Sequence, residues 1–351
     1  MLPTLAASGR RSLLPALLAV ALWPSVGRAQ GGDPLVEARE ARHWLARIHA
    51  AAEQYNFQGI FVVSAGGTVA SSRIAHYCEG RNQFERIESL DGLKRQVYRH
   101  NEVVHSFWPH RRLAVIETRQ AMSQFPALLP DGAERIVQHY DVKSLGAGRV
   151  AGHDANVLLL QPKDGYRFGY RLWAEKASGL LLRAEVFDER EVVLEASAFS
   201  ELMLNVKPRA DLVLQAMKRL DGYRVQRLAL QETELAREGW VLKQPPPGFR
   251  PVSSVRRLMA AFDADPPPTT GPASGADAAG AAVQAIFSDG LTHVSIFIEP
   301  FDAAVHRREV LMAVGATQTL VKRKGDWWVT VIGDVPVITL RAFAASLEPR
   351  R

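Results

Sequence analysis

Residues 56–92 read NFQGIFVVSAGGTVASSRIAHYCEGRNQFERIESLDG, and this stretch decides the fold. "GIFVVS" is apolar on both faces, as in a strand covered on both sides. "AGGT" turns the chain and "VASSRIAHYC" returns. "QFERIESL" and the following "KRQVYRH" flank Asp91-Gly92, a hairpin signal. The same grammar continues through "EVVHSFWP" and "RLAVIE". It pauses at a proline-interrupted segment from Gln120 to Arg135 and resumes at "YDVKSLGAGRVAGHDANVLLLQP". "YRFGYRLWAE" alternates most cleanly. It predicts Tyr166, Phe168, Tyr170 and Leu172 on one face, opposite Arg167 and Arg171. Residues 34–206 are thus expected to hold roughly ten strands in consecutive hairpin order, a sheet that must curl or close.

A helix precedes the sheet. Asp33 suits an N-cap and Pro34 the first helical position. Leu35, Ala38, Leu45, Ile48, Ala52 and Tyr55 then recur at three- and four-residue steps, giving one apolar face to lay across the sheet. After "ELMLNV" the strand pattern breaks, and residues 207–222 are expected as a linker with some helix. A second unit, 223–347, opens with "YRVQRLAL". It carries a low-complexity stretch at 263–280, "DADPPPTTGPASGADAAG", expected as a loop. Hairpins follow at Asp289-Gly290 and Gly325-Asp326, and a helix begins at Pro336. This unit has too few strands to close a barrel, so the chain as a whole reads as α+β.

The first residues read as an address rather than as fold. Arg10 and Arg11 precede the short apolar run 12–23, and Gly27 and Ala29 fit the −3 and −1 positions of a cleavage site. Residues 1–29 are therefore expected to be a signal peptide. A membrane anchor would need about twenty apolar residues, and Pro15 and Pro24 shorten this run. The 351 residues carry 43 Lys and Arg against 37 Asp and Glu, a net +6. Cleavage after Ala29 removes three Arg and no acid, leaving 40 against 37, or +3. That balance is too mild to argue for nucleic acid. Cys78 is the only cysteine, so the exported chain has no disulfide framework and must be held by packing.

Catalytic patterns are not evident. The ten histidines make no H-E-x-x-H and no Cys/His zinc spacing. "SAGGT" lacks the lysine and the helix of a phosphate cradle. Glu85 and Glu88 fall on opposite strand faces and are expected to pair with arginines across the sheet. His76 and Cys78 share a strand face with no third group evident in the sequence. The polar residues of 56–92 therefore belong to a sheet that holds something. No catalytic residue, metal ligand or cofactor is assigned. Trp327 and Trp328 point to opposite faces, so one of them is a candidate for a contact surface.

Three stretches carry a resemblance: residues 56–104, "FSDGLTHVSIFIEP" and "GATQTLVKRKGDWWVTVIGDVP". The first resembles the start, and the other two the C-terminal domain, of the RseB (MucB) family of periplasmic regulators of the σE envelope-stress response. The resemblance spans nearly all of the chain after residue 29. It implies an N-terminal domain similar to the lipoprotein carriers LolA and LolB, an unclosed antiparallel barrel with covering helices, and a smaller α+β C-terminal domain. It implies a non-catalytic periplasmic protein that binds the periplasmic part of an RseA-type anti-sigma factor and shields it from site-1 proteolysis. Lipid, lipoprotein or lipopolysaccharide would relieve that protection. Phe61, Val63, Tyr166, Phe168 and Tyr170 are then candidates to line a lipid cavity, and Trp327 and Trp328 to touch the partner. "HVSIFIEP" and "GDWWVTV" are expected to offer strand edges for that contact. A lipid or lipoprotein carrier is the rival reading, and it would need only the first domain. The oligomeric state stays open.

Overall fold

The computed structural model describes residues 34–118, 132–228, 230–258 and 281–350. The expected signal peptide and cleavage site, most of the proline-interrupted segment and the expected loop at 263–280 lie outside the described residues.

The first unit begins with α1 (Pro34–Gln54), followed by β1 (Phe57–Ala65), β2 (Thr68–Glu79), β3 (Asn82–Ser89), β4 (Gln96–His100), β5 (Val103–Trp108) and β6 (Leu113–Thr118). Then come α2 (Gly132–His139), β7 (Tyr140–Val150), β8 (His153–Pro162), β9 (Gly169–Glu175), β10 (Leu181–Phe187), β11 (Val193–Leu204), α3 (Ala210–Lys218) and β12 (Arg224–Leu228). They form one 12-stranded sheet in the order β12-β6-β5-β4-β3-β2-β1-β11-β10-β9-β8-β7. The two ends, β12 and β7, do not pair, so the sheet is unclosed. The order also differs from a simple run of hairpins. The chain meanders out from β1 to β6, crosses to the far edge at β7 and meanders back until β11 pairs with β1, Phe61 opposite Phe199.

Both faces of this sheet are covered, as the apolar "GIFVVS" requires. His76 and Tyr77 are neighbours in β2 and so point to opposite sides. His76 stacks on Phe57, in a core that includes Ala51 of α1. Tyr77 packs with Phe84, Tyr98 and Phe107 against Ala210, Val213 and Met217 of α3. Leu45 and Ile48 of α1, both fully buried, press with Ile136 of α2 onto Leu158, Leu160, Tyr170 and Leu172. Burial of each such side chain stabilises the fold by about 1.5–3 kcal/mol.

The boundary of the units differs from the sequence reading. The stretch expected as a linker holds α3, which covers one face of the sheet. Residues 224–228, expected to open the second unit, pair in parallel with β6, Val225 opposite Ala114. Short local patterns cannot reveal this, because β12 gains its place from a partner more than a hundred residues away.

The second unit comprises β13 (Leu230–Glu232), β14 (Trp240–Leu242), β15 (Arg250–Leu258), β16 (Ala281–Ser288), β17 (His293–Pro300), β18 (Val310–Val314), β19 (Thr317–Lys324), β20 (Trp327–Gly333), α4 (Val337–Ser346) and β21 (Leu347–Pro349). Seven strands make a sheet ordered β13-β15-β16-β17-β20-β19-β18, and β14 pairs with β21. The hairpins at 289–290 and 325–326 form where the sequence places them. The strands of "HVSIFIEP" and "GDWWVTV" are not edges. They are β17 and β20, neighbours inside the sheet, with Val294, Ile296, Ile298 and Val331 fully buried beside Leu340 and Phe343 of α4. The edges belong to β13 and β18, and β18 exposes Leu311, Met312 and Val314.

Candidate functional site

The two units meet at a polar joint built from two turns. The turn entering β9 supplies Arg167, and the β16–β17 hairpin supplies Asp289. Both side chains are fully excluded from solvent, and Arg167 Nε donates to Asp289 Oδ2 at 2.7 Å. The other two guanidinium nitrogens are also engaged: Nη1 with Asp164 at 2.5 Å and Nη2 with the carbonyl of Pro247 at 2.6 Å. Its face lies 4.9 Å over the ring of Phe249. Asp289 in turn accepts from the backbone N–H groups of Leu291 and Thr292, both at 2.9 Å, and from the Tyr140 hydroxyl at 3.5 Å. A buried ion pair persists only when its other lone pairs and protons are satisfied in this way.

The backbone is shaped to this contact. Gly248 has φ +83°, and a Cβ there would lie 2.2 Å from His139 Nε2 and 2.6 Å from Arg167 Nη2, so only glycine fits. Burial lowers the pKa of His139, and the Arg167 charge lowers it further. Thr339 of α4 donates to the carbonyl of Tyr166 at 2.7 Å. A second contact lies at the β18–β19 turn. Gly315 is so near Ala65 that a Cβ would lie 2.6 Å from the Ala65 Cβ, and Ala316 is buried in the core of the first unit. Burial, reinforced by Asp334 and Asp289, raises the Tyr170 hydroxyl well above its ordinary value. It stays neutral and acts as a hydrogen-bonding group.

A second polar network lies on the α1 side of the first sheet. His76 Nδ1 is 3.0 Å from Glu85 Oε1, and Arg99 donates twice to Glu85, at 2.8 and 2.6 Å. Glu85 is thus paired with an arginine across the sheet, as expected. Glu88, on the other face, pairs with Arg86 at 2.9 Å. Burial alone would lower the pKa of His76, but hydrogen bonds to Cys78 and Glu85 outweigh it and raise it from 6.5 to about 9. Burial would raise that of Glu85, but His76 and Arg99 outweigh it and bring it from 4.5 down to about 2. The raised histidine stabilises the fold fully below pH 6.5 and loses that contribution as pH rises towards 9. The lowered glutamate contributes above pH 4.5 and is lost as pH falls towards 2. The thermal midpoint is therefore expected to peak between these limbs. His76→Gln should flatten the alkaline one in a pH series of melting curves.

A cavity of about 300 Å³ opens between this sheet and α3, on the face away from α1. Ile60, Ala75, Tyr77, Leu212 and Val213 give it apolar walls, and Arg73, Arg86 and Arg209 line its polar part.

Family models for the MucB/RseB N-terminal domain and the MucB/RseB C-terminal domain match residues 40–222 and 234–348. The chain belongs to the MucB/RseB family. It is 28% identical over 320 residues to the sigma factor AlgU regulatory protein MucB of Pseudomonas aeruginosa, covering 90% of this chain and 93% of that one. The sigma-E factor regulatory protein RseB of Escherichia coli K12 is 21% identical over 304 residues, covering 87% and 89%. A crystal structure of MucB in complex with MucA(peri) matches at 25% identity with a TM-score of 0.63, covering 89% of this chain and 99% of that one. A second structure, the Pseudomonas aeruginosa MucA/MucB complex, gives 0.65 at the same identity and covers 89% and 99%. These relatives are named as regulatory proteins, and both halves of the family architecture are present.

Within this family frame the residues singled out by the sequence fall into four places. Phe61 is buried and Val63 half-buried in the core shared by β1, β11 and the end of α1. Phe168 and Tyr170 are buried under α1 and α2. Tyr166 is half-buried at the joint. None of the five lines the cavity beside α3. Trp328 is buried, stacked 4.8 Å from His306, and Trp327 is half-buried edge-on to Trp240 at 5.5 Å. Arg167 and Asp289 escaped the sequence reading. Alternation put Arg167 only on the face opposite Tyr166, Phe168 and Tyr170, and Asp289 looked like a turn residue only.

Proposed function

We propose that this chain is a non-catalytic periplasmic regulator. It holds the periplasmic part of an RseA-type anti-sigma factor, keeps it from site-1 proteolysis and lets go when lipid or lipopolysaccharide binds. One observation carries this reading: both family domains are present in order, and structures of MucB with MucA(peri) match over 89% of the chain. Masking needs surface and a fixed relation between two units, and the Arg167–Asp289 joint supplies the second. The exposed apolar edge of β18 fits an added strand from a partner. Of the two tryptophans, half-buried Trp327 remains the candidate for contact, and Trp328 is buried.

For the lipid step, Phe61, Val63, Phe168 and Tyr170 lie where an acyl chain would have to displace α1, with Tyr166 at the rim. Each buried CH₂ is worth about 0.8 kcal/mol, so an acyl chain carries enough free energy to move a helix end. Export is part of the same reading: mass spectrometry of the protein from the periplasm is expected to give an N-terminus near Gln30, and an intact Met1 would contradict it. The test of function is capture from envelope extract. The tagged chain should bring down an inner-membrane anti-sigma factor, and a preparation that retains none overturns the proposal.

A further inference from the structure

Away from the joint, one polar cluster is built more closely than its sheet requires. Cys78 Sγ lies 3.2 Å from Nε2 of His76, the same imidazole whose Nδ1 meets Glu85. The ring is fixed by stacking on Phe57, with centroids 5.2 Å apart and planes 14° from parallel. Arg99 fixes the carboxylate with its two hydrogen bonds. Cys78 as a residue is half-buried. It also reaches the carbonyl of Glu53 at 2.8 Å, one of the last carbonyls of α1 and so without a helical partner. The Cys78 backbone N–H donates to Asn56 Oδ1 at 2.7 Å, which pins the strand beneath the helix end.

A cysteine that only capped α1 would need the Glu53 contact alone. It would not need an imidazole on its other side, nor a carboxylate held on that imidazole by an arginine. A nucleophile within reach of a base, with the base oriented by a third group, is the arrangement that activates a thiol.

We propose that Cys78 is a peroxide-reactive thiol, with His76 as its proton partner and Glu85 and Arg99 as positioning residues. His76, held as an imidazolium by Glu85, donates its Nε2–H to Sγ and stabilises the thiolate left when the thiol proton departs to solvent. The thiolate attacks one oxygen of hydrogen peroxide; the S–O bond forms as the O–O bond breaks. The departing hydroxide takes the Nε2 proton and leaves as water. Sulfur is oxidised to a sulfenic acid, peroxide is reduced, and the imidazole regains its proton from solvent. The chain has no second cysteine, so no internal disulfide can follow. The added oxygen falls at the contact with Glu53, under the end of α1. The charged groups around the pair are Glu85 and Arg99 across the sheet and Glu53, paired with His49, on α1.

The inference is independent of the partner-binding reading and is tested on the full, folded chain. Hydrogen peroxide is added at about pH 6, where an ordinary thiol is almost wholly protonated. Sulfenic acid is trapped with a dimedone probe and read as intact mass. Cys78 is expected to react at least about tenfold faster than N-acetylcysteine under the same conditions. His76→Asn should remove the advantage. Should that variant fail to fold, Glu85→Gln serves instead. It keeps the imidazole but removes its counter-charge, and should move the midpoint of the rate–pH profile upward by about a unit. A folded wild-type chain that reacts no faster than N-acetylcysteine overturns the proposal, and an unshifted profile in Glu85→Gln removes the role given to Glu85.

Discussion

Replacing Asp289 by alanine is expected to destabilise the protein by about 3–5 kcal/mol, the range for removing one member of a buried ion pair. The side chain is fully buried and serves both units at once. Its Oδ2 receives Arg167 and Tyr140, and its Oδ1 receives two backbone N–H groups of its own turn. Alanine leaves those donors without water or partner. Arg167 keeps Asp164 and Pro247, which places the loss towards the lower end of the range. Asp164→Ala is the contrast: its carboxylate is partly solvated, and the change should cost about 1 kcal/mol. Denaturant titration measures both. A loss for Asp289→Ala no larger than for Asp164→Ala would mean that the joint does not hold the units together.

The second large effect concerns the second unit as a whole. A chain ending at Leu228 keeps β12 and the complete 12-stranded sheet but loses the matched C-terminal domain, residues 234–348. It also uncovers Arg167 and Tyr140 and loses Ala316 from the core. Such a chain is expected to lose protection of the anti-sigma segment altogether. Circular dichroism must first show that the sheet has folded. A folded truncation that protects as well as the whole chain would place the contact surface on the first unit.

The hairpins were legible because each is written locally. Asp91-Gly92, Asp289-Gly290 and Gly325-Asp326 sit between alternating runs, and all three turn where expected. The α1 face was legible too, since Leu45 and Ile48 repeat at helical spacing. What lies outside local pattern was not. Alternation through residues 166–175 separates Arg167 from Tyr170, but cannot tell that the second unit covers the arginine. The apolar runs of β17 and β20 could equally be edge or centre until their neighbours are known. The His76–Glu85 pair stood between these cases. A turn at Gly80-Arg81 sets Glu79 opposite Asn82, and counting back along both strands brings His76 opposite Glu85. The signal was present in the hairpin register and absent from any single strand.

The most direct measurement is the rate at which the site-1 protease cuts the purified periplasmic segment of the anti-sigma factor, with and without the full chain. If the chain masks the segment by binding it, the free fraction falls to about a tenth at roughly ten times the Kd, and cleavage should slow about tenfold. Adding lipopolysaccharide should restore the original rate. Cleavage that proceeds equally fast at every concentration of the chain would contradict masking, whatever the family resemblance of the two domains.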